Sequence, residues 1–379
     1  MSAGSVAVGG AGHVAAFREV LDGRGAFYNA PDYEETTRRD LASGMALPAT
    51  YVWNTEYKII RIVKQILMII IFPIAIYQFL HALAAKIALL PASFPQGCGL
   101  RENHANESRA RILLNDEWKY KRITIEVDDY KIDAAIVGKA STLANGRWVL
   151  ASNGNCQFYE DLLSSRDFKQ ILSEVRGNAI VFNYPGVGAS SGLPNRGAMA
   201  KAYRALLAFL EDRERGIGAR EIIGFGHSIG GGVQGDALKT HLLMQDVRYV
   251  FVKNRTFSNL ATTASMITGR PSLERLVRVL GWNIDSVESS KRLQAPEIIM
   301  QTACVNRYVD LVHSAEIIHD GVIPEEASLA RALLDDNECP KANKTFIGMS
   351  EYHNDGLVNP AYLAGKIEAY LAPSAPPVS

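Results

Sequence analysis

The sequence predicts an α/β fold, a mostly parallel sheet with helices on both faces, and three observations predict it. Short apolar runs recur along the chain at RWVLAS, NAIVFNY, REIIGFG, VRYVFVK, PEIIMQT and KTFIGMS. They are rich in Val, Ile and Phe and do not alternate, as buried parallel strands read. Helix-like stretches such as AMAKAYRALLAFLEDRER and GGGVQGDALKTHLLM separate them, as crossover connections require. Ahead of them, KRITIEVDDYKIDAAIVG alternates apolar and polar residues on either side of Asp128-Asp129, the pattern of an antiparallel hairpin.

The elements follow in order. Residues 1–57 mix Gly, Ala and charges without a sustained period, and a polar, mobile start is expected. Residues 58–91 form an apolar helical segment. From Gln65 to Ala85 it carries no Asp, Glu, Lys or Arg, while Arg61, Lys64 and Lys86 flank it. That length matches a hydrocarbon core of ~30 Å. Pro73 would kink or split a helix there. Three readings stay open: a segment that spans a bilayer, one that lies in or re-enters one face, and a helix buried against the following domain. The hairpin and the six apolar runs make an eight-stranded sheet, and the domain holding it is expected over 119–373. A short cap is expected over about 261–293, where ITGRPSLERLVRVLGW reads as a short amphipathic helix whose Leu and Val either pack on the domain or shape an acyl pocket. The tail APSAPPVS reads as a frayed end.

Composition narrows the function classes. Apolar residues make up 47% of the 379 residues, and Lys+Arg equals Asp+Glu at 40 each. The chain therefore has enough apolar material for a core, and it lacks the basic footprint of a nucleic-acid binder. Cys98, Cys156, Cys304 and Cys339 show no metal-ligand spacing, so free thiols are expected. The start of the chain lacks the charged and apolar regions of a secretory signal. His313 and His319 lack the spacing that sets two ligands on one helical face, and no metal or cofactor is expected.

The chemistry-bearing motif is Gly226-His227-Ser228-Ile229-Gly230, between a predicted strand and a predicted helix. A nucleophile on such a turn stands on a sharp, strained bend with its hydroxyl above the sheet. Glycine on both sides removes Cβ atoms that would collide with strand and helix. The helix start offers backbone N–H groups to a developing oxyanion. His241 and Asp246 form an H-x-x-x-x-D pattern, but no phosphate-binding motif follows, and chance explains it.

The stretch from about Lys119 to Leu371 resembles the α/β-hydrolase superfamily, with its landmarks in order: WVLASNGN for the oxyanion strand and loop, FNYPGVGASSG for the next strand and its loop, and GHSIGG for the nucleophile elbow. With RTFSNL after the following strand, the ensemble also resembles the CHLPS proteins of chlamydiae and hydrolase-like effectors of other intracellular bacteria. The resemblance implies a serine hydrolase with Ser228 as nucleophile. It implies His353, after the last strand, as base, since superfamily order is Ser, acid, His. The acid is expected a few residues beyond PEIIMQT, and Asp320-Gly-Val-Ile-Pro324 fits the family's pattern, with Asp310 as the alternative. The oxyanion donors implied are the N–H groups of Ile229 and Asn155, with Cys156 competing for the second. Asn153 stands where the family usually has His.

The expected reaction is cleavage of an ester through an acyl-enzyme, with a small-molecule or lipid ester as substrate and a membrane as partner through residues 58–91. Localisation is expected to be membrane-associated or cytoplasmic, and the CHLPS resemblance adds translocation into a host cell. Other readings stay open: a catalytically inactive, membrane-associated interaction module, an acyltransferase, and a carbon–carbon hydrolase on the same fold.

Overall fold

The structure, a computed structural model, describes residues 31–372 except 56, 71, 85–90, 95, 97, 98 and 116. The readings of the chain start, of Cys98 and of most of the tail lie outside the described residues. In chain order the helices are α1 Tyr33–Ala42, α2 Lys58–Ile70, α3 Phe72–Ala84, α4 His104–Ala110, α5 Tyr159–Ser164, α6 Arg166–Glu174, α7 Arg196–Glu211, α8 Ile229–Leu238, α9 Leu260–Thr268, α10 Pro271–Val279, α11 Ser286–Arg292, α12 Leu329–Leu334 and α13 Pro360–Leu371. The strands are β1 Tyr51–Trp53, β2 Trp118–Val127, β3 Tyr130–Lys139, β4 Arg147–Ser152, β5 Asn178–Phe182, β6 Glu221–His227, β7 Arg248–Asn254, β8 Glu297–Thr302, β9 Val309–Asp310 and β10 Lys344–Met349.

They form one sheet in the order β1-β2-β3-β5-β4-β6-β7-β8-β10-β9. This is the expected α/β-hydrolase architecture, with one correction: the sheet has ten strands rather than eight. Both additions are edge strands too short to carry a periodic signal. β1 has three residues and pairs parallel to the end of β2. β9 has two and pairs antiparallel to β10. The hairpin turns at Asp128-Asp129, with Val127 opposite Tyr130.

The strands are buried on both faces, so alternate residues feed two cores. Trp148, Leu150, Ile180, Phe182, Ile222 and Phe251 pack with α7 and α8. Val149, Ala151, Val181, Ile223, Val250 and Val252 pack with α5, α6 and α13. Helices on both faces follow from this two-sided burial.

The segment ahead of the hairpin joins the body through buried charge. The Arg109 guanidinium, fully buried on α4, pairs with Glu160 and lies 3.3 Å from Asp133. Arg122 Nε donates to Asp133 Oδ1 at 2.7 Å. The two arginines also donate to the backbone carbonyls of Asp40, Leu41, Ser43 and Met45. Carbonyls in the last turn of α1 and just beyond it, which no helix satisfies, are thereby tied to β2, β3 and α5.

Within 58–84 the described residues are helical over Lys58–Ile70 and Phe72–Ala84. No helix among the described residues is long and apolar enough to cross a membrane. Among its described side chains His81 is buried. Ile59, Ile66, Leu67, Phe79 and Leu80 are exposed.

Removing one partner of a buried ion pair leaves an uncompensated charge. Arg109→Met is therefore expected to lower unfolding free energy by about 3–5 kcal/mol in urea titration. It should also open α1 to proteolysis before the sheet.

Candidate active site

Ser228 sits where β6 ends and α8 begins, with φ 53° and ψ −121°. A positive φ is rare for a residue with a side chain. Its surroundings hold it there. The Ser228 N–H donates to Asn254 O on β7 at 3.0 Å, and its carbonyl accepts from Gly231 N–H at 3.1 Å. Gly226 and Gly230 permit the close approach. A Cβ on Gly226 would lie 2.7 Å from the Gly231 backbone, and one on Gly230 would overlap the carbonyl of Ser152.

His353 follows β10, and Asp320 lies in the segment between β8 and β10. His353 Nδ1 is 2.8 Å from Asp320 Oδ2. The other carboxylate oxygen accepts from the N–H groups of Val322 (2.9 Å) and Ile323 (2.6 Å). The His353 N–H donates to Asp320 O at 2.6 Å, so backbone and side chain lock the pair together. Burial pushes the Asp320 carboxyl up, but the bond and charge of His353 and the two N–H donors outweigh it. The carboxyl is held below its ordinary value. A carboxylate on Nδ1 favours the proton there and leaves Nε2 as the other ring nitrogen.

The structure does not bring Asp310 to this site. It is exposed on β9, paired with Lys366 of α13 at 2.5 Å and with the Tyr362 hydroxyl at 3.0 Å. His241 and Asp246 are also apart in function: His241 Nε2 binds Glu211 at 2.9 Å, and Asp246 pairs with Arg213.

Beyond β4, the loop 153–157 packs on the elbow. The Gly154 N–H donates to Gln157 Oε1 (2.9 Å) and the Cys156 N–H to Asn155 Oδ1 (3.1 Å). Among the described residues the Asn155 N–H has no partner. Ile229 opens α8, so its N–H has no carbonyl within the helix. Asn153 is buried and donates to Phe182 O at 3.1 Å, while its carbonyl accepts from Tyr184. It ties the loop to β5. Cys156 is disulfide-bonded, which corrects the expectation of free thiols there. Cys304 and Cys339 are free. The spacing of cysteines carries no trace of a bridge formed through the fold.

Two contacts around His353 were not legible in the sequence. The His227 ring lies 4.9 Å, centre to centre, from that of His353. Burial lowers its basicity strongly, and the charges of Arg255 and His353 add to this, so it is neutral. Arg255 is buried behind the pair. It donates to Tyr352 O and, at 2.9 Å, to Asp355 O, and so clamps the backbone on both sides of His353. In the sequence Arg255 stands out only as the first residue of RTFSNL. A buried guanidinium satisfying loop carbonyls leaves no local pattern.

The cap comprises α9, α10 and α11. Val277 is buried, but Ile267, Leu276 and Val279 face solvent, so the expected packing of the cap on the domain holds only in part.

A model of the family described as Chlamydia CHLPS protein (DUF818) matches residues 48–371. No curated protein matches the chain. Similar solved structures include an esterase of Pyrococcus furiosus, Pf2001, with 14% identity, TM-score 0.48, and 67% of this chain and 90% of that one covered. An alpha-beta hydrolase from Vibrio vulnificus gives 16% identity, TM-score 0.48, and 66% and 80% coverage. Acetyl xylan esterase from Paenibacillus sp. R4 gives 17% identity, TM-score 0.44, and 68% and 86% coverage. The family match spans well over half of a chain with the α/β-hydrolase fold, and the chain belongs to the Chlamydia CHLPS protein family.

Proposed function

We propose that the protein is a serine hydrolase that cleaves esters through an acyl-enzyme on Ser228. The observation that carries the reading is the 2.8 Å contact of His353 with a buried Asp320, together with a serine held at positive φ between a strand and a helix and next in sequence to His227, whose ring lies 4.9 Å from that of His353. A serine hydroxyl is a weak nucleophile until a base takes its proton, and the base needs an acid to fix its tautomer. In this reading Ser228 Oγ attacks the carbonyl carbon while His353 Nε2 accepts the proton. Asp320, held ionised, orients the ring and stabilises the imidazolium. The N–H groups of Ile229 and Asn155 receive the oxyanion, each such donor being worth about 2.7–4 kcal/mol in the transition state. His353 then returns the proton to the leaving alcohol. Water enters by the reverse path, gives its proton to His353 and releases the acid and Ser228.

The free N–H of Asn155, with that of Cys156 engaged inside the loop, favours Asn155 over Cys156 as second donor. His227 contributes no charge to compete with the imidazolium, because burial holds it neutral.

A fluorophosphonate probe is expected to label the folded wild-type chain and not Ser228→Ala. Equal labelling of both would remove Ser228 as nucleophile, and no labelling of the wild type would favour an inactive binding module. Products formed with added alcohols would move the reading to an acyltransferase. On a p-nitrophenyl ester, Asp320→Asn is expected to lower kcat by about 10⁴-fold, the scale of a lost tautomer-fixing acid. Asp310→Asn, on the surface, should change it less than about threefold. The reverse order would transfer the acid role to Asp310.

A further inference from the structure

The catalytic edge of the sheet is where the parallel strands end and where Ser228, Asn155 and His353 stand. The apolar helices α2 and α3 are fixed to the same edge. β3 runs antiparallel to β5, with Ala134 opposite Phe182, so the turn at Asp128-Asp129 lies at the C-terminal end of β5. β1 pairs with the last residues of β2 and therefore delivers α2 to that turn. Arg61 of α2 pairs there with Asp128 at 3.1 Å and Asp129 at 3.4 Å. At the other end α3 meets the cap. The Tyr77 hydroxyl donates to Val279 O at 3.2 Å, and His81 stacks on Trp282 at 5.3 Å between ring centres.

The two apolar surfaces are thus joined at Tyr77 and Val279, and both are left in water. Ile59 is 71% exposed, Phe79 66% and Val279 72%. Patches of this kind mark an interaction surface. Its charge selects the partner. α3 and α9 carry no Asp, Glu, Lys or Arg, and α2 carries no Asp or Glu. α10 and the residue before it add exposed Arg270, Arg275 and Arg278, and the one carboxylate of α10, Glu274, is paired with Arg278 at 2.9 Å. Apolar side chains with surplus cations fit an anionic bilayer surface. Among the described residues no helix is long and apolar enough to cross such a bilayer.

We propose that α2, α3 and the cap helices α9 and α10 form one lipid-docking face that seats the catalytic edge on an anionic bilayer, and that the ester cleaved at Ser228 belongs to an acyl chain held in that bilayer. The docking stands on the surface alone; the substrate class rests on the hydrolase reading.

The test is flotation of the full chain with vesicles of phosphatidylcholine and phosphatidylglycerol, against vesicles of phosphatidylcholine alone. The chain is expected to float with the mixed vesicles, and roughly tenfold less with the neutral ones. Phe79→Glu and Val279→Glu should each lower binding by at least roughly tenfold, with thermal midpoints showing that both fold. No flotation of the folded wild type overturns the proposal, as does a dimer that Val279→Glu dissociates and that ignores vesicles. Loss with Phe79→Glu but not with Val279→Glu removes the cap from the face. Fluorophosphonate labelling in the same samples reports failure of the hydrolase reading separately. Hydrolysis of a phospholipid in the mixed vesicles should fall with Val279→Glu roughly tenfold more than hydrolysis of a soluble p-nitrophenyl ester; equal falls overturn the substrate class.

Discussion

The backbone of Ser228 is held at φ 53° and ψ −121°, a conformation that costs a residue with a side chain about 1–3 kcal/mol. The surrounding structure over-determines it. β6 must end at His227 and α8 must begin at Ile229 within one residue, and the turn is closed by Asn254 O on one side and Gly231 N–H on the other. Gly226 and Gly230 let strand, helix and the end of β4 meet with no side chain between them. The rest of the site is placed against this contact. The loop 153–157 follows β4, whose Ser152 carbonyl lies against Gly230. The free N–H of Asn155 and that of Ile229 thus come from two segments that share one packing contact.

The second requirement is to hold loops around the elbow that have little apolar surface of their own. Here the chain uses buried charge. Arg255 ties Tyr352 and Asp355 to the end of β7, and Asp320 binds both the side chain and the backbone N–H of His353. Deeper in the sheet Glu297 is shared between Lys253 at 2.8 Å and Lys344 at 3.3 Å, all fully buried, which links β7, β8 and β10. Desolvation offsets much of the attraction in such pairs. Their directional bonds to specific carbonyls and carboxylates nevertheless define which loop sits where, and apolar contacts alone do not.

What the sequence makes legible follows from range. Strands buried on both faces write continuous apolar runs, and all six runs after the hairpin became strands. The elbow is local, so five residues carry it. The pairing of Asp320 with His353 spans 33 residues, yet chain order and the Asp-Gly-Val-Ile-Pro pattern single out Asp320, because the turn after it supplies the N–H groups of Val322 and Ile323. Asp310 stood as the alternative. Only its place on an edge strand facing Lys366 separates it. β1, β9, the bridge at Cys156 and the Arg255 clamp were not readable. Each is one to three residues whose meaning lies in a distant partner.

The same reasoning explains why the N-terminal segment and the hydrolase body form one unit. A three-residue strand is too short to be stable alone. β1 persists because α1, before it, is held through its carbonyls by Arg109 and Arg122, and because Arg61, after it, reaches the Asp128-Asp129 turn. Asp128 also binds Thr55 and Lys201, and these partners hold its carboxyl below the ordinary value despite burial. One ionised turn thus receives the N-terminal segment and α7 of the body together. The position of the apolar helices at the catalytic edge is therefore set by electrostatics at the β2–β3 turn, and their own sequence has only to remain apolar.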